Sequence, residues 1–88
     1  MEYLKYRNIT ADTLIKTGSG VVAGVVVNSH TSGTIKLWDN TSAAGTVIVN
    51  TYTFPAGSSV VTFPKPLTFT AGLYADIGGT VDLTIVFK

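Results

Sequence analysis

Alternation of apolar and polar residues with a period of two runs through most of the chain, and helical periodicity is nearly absent. At the N-terminus, Tyr3-Leu4-Lys5-Tyr6-Arg7-Asn8-Ile9 alternates large apolar and charged side chains, the pattern of an edge strand or an exchanged arm. Residues 12–17 read as a second short strand that Gly18-Ser19-Gly20 breaks, and residues 11–16 are too short and Thr-rich to hold a helix. Residues 20–29 are the most apolar stretch, with Val21, Ala23, Val25 and Val27 on one face and Val22, Gly24 and Val26 on the other. A strand apolar on both sides is a central one, covered once by its own core and once by something else. His30-Thr31-Ser32-Gly33 reads as a turn. The next strand places Ile35 and Leu37 inward and Lys36 and Trp38 outward.

The second half repeats the pattern. Residues 40–45 have loop composition, and 46–53 form a strand with Val47 and Val49 on one face. Residues 54–58 contain Pro and Gly and predict a turn; 59–63 form a strand that Pro64 ends. Leu67-Thr68-Phe69 and residues 72–77 follow, and Gly78-Gly79 predicts a two-residue hairpin. The last strand carries Val81, Leu83, Ile85 and Phe87 inward, opposed by Asp82, Thr84 and Val86. About eight short strands at roughly ten-residue spacing predict an all-β fold, a two-sheet antiparallel β-sandwich with jelly-roll or Greek-key topology. Residues 1–10 are its N-terminal arm or edge strand, and residues 11–88 are a single sandwich domain.

Size and charge shift attention to partners. Eighty-eight residues make one domain, and a chain this short buries only roughly 60–65% of its unfolded surface. Small domains compensate with disulfides, a structural metal or oligomerisation. With no cysteine and a single histidine, the third route is the one expected. Charged residues are 12% of the chain, about half the usual share. Fourteen Thr and six Ser supply much of the polar surface instead, and hydroxyls cost far less to desolvate than charges. Such a surface suits burial against another protein. Six basic residues scattered without a run, for a net charge of +1, argue against a nucleic-acid binder. No apolar stretch matches a membrane helix, and the polar, charged start of the chain is unlike a secretion signal.

Candidate chemistry is thin. His30 is the one conventional base, set in a predicted turn where a histidine is ordinarily solvated, so no catalytic residue is assigned and no enzyme is expected. Asp39 and Asp76 are expected to close strands and cap the turns that follow them, and Asp82 to be solvated or paired across strands. Thr17-Gly18-Ser19-Gly20 lacks the Lys-Ser/Thr ending and the following helix of a phosphate loop. The oxygens of residues 39–42 lack calcium-loop spacing, and no metal or cofactor is expected. The aromatic residues are the better lead. Outward Trp38 reads as an interface anchor, a sugar-stacking platform or a lid, and Tyr3, Tyr6, Tyr52 and Tyr74 have the amphipathic character that interfaces favour. With Leu4 and Ile9 of the N-terminal arm, these are the candidate interface residues.

Two stretches carry a resemblance: Thr13-Leu14-Ile15-Lys16-Thr17-Gly18-Ser19-Gly20 with Gly24-Val25-Val26-Val27-Asn28, and residues 35–46, Ile35-Lys36-Leu37-Trp38-Asp39-Asn40 onward. Together they resemble the small, cysteine-free, Thr/Gly/Val-rich β-sandwich proteins of tailed-bacteriophage virions, which include head decoration (cement) proteins. The resemblance spans roughly residue 12 to the C-terminus, leaving residues 1–9 outside it. It implies a structural virion protein on the capsid exterior, made in the host cytoplasm and bound to the major capsid protein or other virion proteins. It also implies a homo-oligomer, a trimer in the decoration proteins that sit at local three-fold positions. The arm around Tyr3 to Ile9 is then expected to add a strand to a neighbour's sheet edge. A tail, neck or fibre component is the alternative within the virion. A carbohydrate- or receptor-binding module using exposed aromatics is the alternative outside it.

Overall fold

Two strands much longer than the rest set the architecture. The computed structural model describes residues 4–57 and 59–88, and its elements are all strands: β1 (Lys5–Ile9), β2 (Thr13–Thr17), β3 (Gly20–Asp39), β4 (Thr46–Thr53), β5 (Ser59–Phe69) and β6 (Gly72–Phe87). They join in one antiparallel sheet in which β3 and β6 pair along most of their length. At one end of that pair, β1 flanks β6 and β5 flanks β3; at the other, β2 flanks β6 and β4 flanks β3.

A straight twenty-residue strand would span roughly 65 Å. The molecule's greatest extent is 32 Å, so β3 and β6 must bend back, folding the sheet over on itself. One core results: Ile9, Val25 and Ile85 from the first end share a cluster with Ile15, Leu37 and Leu73 from the second. Four short connections cross between the ends (β1–β2, β2–β3, β4–β5 and β5–β6), and β3–β4 is the one hairpin between paired neighbours.

The all-β reading holds, while the expected count of about eight strands in two sheets becomes six in one. The difference lies at three places, one at Pro64 in β5 and two at the bend. His30–Gly33 is not a turn but a bulged part of β3, and Gly78-Gly79 is not a hairpin but an interior part of β6. Thr31 faces Thr80 and Thr34 faces Gly78, so β3 spends one residue more than β6 in passing the bend. Ser32 (φ 50°) and Gly79 (φ 74°) absorb the change of direction with left-handed backbone. A Cβ on Gly79 would overlap the Ser32 carbonyl oxygen, which is why a glycine stands there.

Bulges also explain the misjudged faces of β3. Extra residues between Val22 and Gly24 and between Val27 and Ser29 reset the alternation. Val22, not Val21 or Ala23, joins Val25 and Val27 in the core, at 0% exposure. Where β6 runs without a break the alternation is preserved, and Val81, Leu83, Ile85 and Phe87 are buried as expected, as are Ile35 and Leu37 of β3. In β4 two register shifts against β3 leave Ile48 and Val49 against the core and Val47 exposed. β5 does not stop at Pro64; it continues to Phe69, although its pairing with β3 is interrupted between Thr62 and Leu67. An edge strand tolerates proline because its outer side needs no donor.

Candidate docking faces

Register decides which outward side chains become neighbours. In β6 the inward set leaves Thr84 and Val86 facing out, and their partners across the ladders follow. Tyr6, Val86 and Gly24 form one row; Asn8, Thr84, Val26 and Val60 form the next. Three strand spacings separate β1 from β5, so the surface is about 14 Å wide. Tyr6 is 78% exposed, Val60 63% and Leu4, just before β1, 54%. A shallow groove of about 200 Å³ runs beside Ala23, Val26, Val60 and Val86, where the bulge after Val22 displaces β3 from its regular course. The sequence anticipated this face in one respect: β3 is apolar on both sides, and its outer side is not covered within the described residues.

The other end of the sheet carries a second row. Leu14, Tyr74, Trp38 and Val47 stand side by side on β2, β6, β3 and β4. Leu14 and Val47 are exposed, while Tyr74 and Trp38 are half-buried. The Lys36 ammonium lies 4.4 Å from the Trp38 ring centroid, a cation–π contact, and the buried indole N–H has no partner among the described residues. The structure thus brings Trp38 and Tyr74 together and groups Leu4 with Tyr6, but at opposite ends of the sheet.

The remaining candidates separate. Ile9 is 5% exposed and packs into the chain's own core, because the strand's inward parity falls on it. Tyr52 meets Phe54 edge-to-face with centroids 5.8 Å apart. Tyr3 lies outside the described residues. Val26, Val60, Val86, Leu14 and Val47 were missed as neighbours of the aromatics because only the register reveals which strands align.

Polar groups serve the framework. His30 does not face solvent in a turn: its Nδ1 accepts from the Gly33 N–H at 3.0 Å, leaving Nε2 to donate to the Pro55 carbonyl at 2.6 Å. Its ring also packs edge-on to buried Phe54, so the imidazole ties the β4–β5 connection to the bend of β3. Asp39 ends β3 as expected but caps a different turn. It accepts the backbone N–H of Ala71 at 2.8 Å and of Thr70 at 3.0 Å, gripping the β5–β6 connection. These bonds, the one from Ala71 foremost, hold its carboxyl below the usual carboxylate value. The loop after Asp39 is organised by Asn40, whose side chain accepts from Thr41 N–H and donates to the Ala44 carbonyl. Asp76 sits within β6 opposite Lys36 and closes no strand. Asp82 accepts from the amides of Asn8 and Asn28, in that order the causes of its lowered pKa, and so links β1, β6 and β3 across the outer face.

Near the start of β3, Lys16, Ser19, Thr68, Phe69 and Lys88 line an open groove of about 520 Å³. Among the described residues no three His, Cys, Asp or Glu side chains gather where they could hold a metal ion. Comparison with protein-family models, with curated proteins and with solved structures finds no match.

Proposed function

We propose that this chain is a structural component of a tailed-phage particle, a decoration protein that seats its apolar outer face on subunits of the shell. The observation that carries the docking half of this reading is the outward row system in which exposed Tyr6 and Val60 flank half-buried Val86 and Val26, in a chain with few charges. Solvent-facing apolar surface rimmed by polar groups is what protein interfaces bury. The placement on a virion rests on the sequence resemblance of residues 13–20, 24–28 and 35–46. The finer expectation about the fold, that the two ends of the folded sheet face each other as the layers of a jelly-roll sandwich, belongs to the same proposal.

The mechanism is mechanical. A protein that binds the assembled shell and not its free subunits stabilises the shell by its binding free energy, summed over many copies. Association of three copies around a local three-fold position fits this role and adds to the burial a small core lacks.

The test is a reconstruction of particles of the phage that encodes the chain, with and without the gene. Copies of this fold on the outer shell, lost with the gene along with part of the shell's heat resistance, are expected. Particles that never contain the chain refute the reading. Val60→Lys places a charge on the outer face at a position 63% exposed, so the fold should be kept while particle occupancy falls.

A further inference from the structure

Four strands lie at the margins of the sheet, and they are not equally regular. β2 carries a bulge between Leu14 and Lys16, β4 shifts register twice, and β5 loses its pairing between Thr62 and Leu67. β1 alone pairs in unbroken register, from Lys5 opposite Phe87 to Ile9 opposite Leu83. Among the described residues its other edge pairs with nothing, so its outward N–H and C=O groups form a straight template. Sheets ordinarily blunt such an edge with a bulge, a proline or charge. Here the guard is charge alone: exposed Lys5 and Arg7 on one side of the strand, exposed Leu4 and Tyr6 on the other.

From this we infer that the open edge of β1 accepts an extended segment of a partner protein in which acidic residues alternate with apolar ones. Main-chain bonding to the edge supplies affinity, and alternate side chains supply choice. Acidic residues opposite Lys5 and Arg7 make favourable cross-strand pairs, and apolar residues fall beside Leu4 and Tyr6. The cations are available for this role. Among the described residues Arg7 reaches only the Leu14 carbonyl, at 3.4 Å, and the outward Asp82 is held by Asn8 and Asn28 instead. A second copy fits the edge poorly: two-fold antiparallel pairing centred on Tyr6 sets Lys5 against Arg7, and centring on Arg7 sets it against itself. Like charges directly opposite are destabilising. The arm expected to join a neighbour's sheet is therefore already a strand of its own sheet, and the neighbour's segment comes to it. This deepens the docking reading above and rests on it only in that the partner is a protein.

The probe is a synthetic peptide of roughly eight residues alternating Glu and Val, long enough to cover β1, with a Lys/Val peptide as its counterpart. Each is titrated onto the intact chain, and amide hydrogen exchange is followed by NMR. The Glu peptide is expected to bind saturably and to slow exchange within residues 5–9. The double variant Lys5→Glu/Arg7→Glu, whose side chains are exposed and whose melting curve checks the fold, should bind it about tenfold more weakly and gain affinity for the Lys peptide. No saturable binding overturns the inference, as does binding that leaves residues 5–9 unprotected or survives charge reversal. Dimerisation of the free chain through β1 also overturns it, by putting a second copy at the edge. None of these outcomes touches the particle reconstruction, which can succeed through the outer face while the edge stays empty.

Discussion

Replacing Gly79 by alanine tests the bend on which the architecture turns. Gly79 has φ 74°, and a Cβ there would overlap the Ser32 carbonyl oxygen and lie 2.8 Å from that of Thr31. A left-handed alanine costs about 1–2 kcal/mol. The added methyl presses on backbone rather than on a side chain that can swing away, and such overpacking costs roughly 1–3 kcal/mol more. Against a total stability of about 4–13 kcal/mol for a chain of this length, a loss near 3 kcal/mol is severe. It should lower the melting temperature by roughly 15 °C or more. Gly18→Ala is the control, because Gly18 has φ 89° yet no atom within 4 Å of its would-be Cβ. That variant pays the backbone term alone, and should lose only about 5–10 °C. Circular dichroism melts of both variants and the parent decide the matter. Equal losses at the two positions would mean that β3 and β6 do not approach so closely at the bend, and that Gly78-Gly79 is a loop after all.

Two further outcomes follow from the polar groups. The carboxyls of Asp39 and Asp82 are lowered from 3.8, so what they add to stability is full above about pH 4 and drains away as pH falls through their lowered values. Asp39→Asn should therefore flatten the acid limb of a melting-temperature profile below about pH 4; an unchanged limb would show that the grip on Thr70 and Ala71 is not electrostatic. His30→Ala removes two hydrogen bonds and the edge-on contact with Phe54, and should cost about 2–3 kcal/mol by urea denaturation. A loss below about 0.5 kcal/mol would return His30 to the role of a solvated turn residue.

Much of the strand content was legible because the period-two signal survives wherever a strand is regular. Val81, Leu83, Ile85 and Phe87 sit on one uninterrupted run of β6, and their burial could be read directly. β3 defeats the same reading, since each of its bulges hands the core face to the opposite parity, as at Val22. Gly78-Gly79 has the composition of a hairpin, and only the ladder pairs on either side, Thr34 with Gly78 and Thr31 with Thr80, show that β6 bends there in company with β3 instead of turning back on itself. The outward rows were half visible. Trp38 and Tyr74 were marked by residue type, but Leu14 and Val47 are aliphatic and ordinary until register sets them alongside. Asp39 was rightly placed at a strand end, yet its partners lie about thirty residues away, a separation no local pattern reports.

The bend has a practical side for anyone wishing to display cargo on this scaffold. Ser32-Gly33 and Gly78-Gly79 look like flexible linkers, the natural choice for grafting an epitope, yet both lie within the two long strands with ladder pairs on either side, and an insert there would split the molecule's spine. Residues 41–44, exposed at the tip of the β3–β4 hairpin, interrupt no ladder, and a foreign peptide carried there would leave the spine whole.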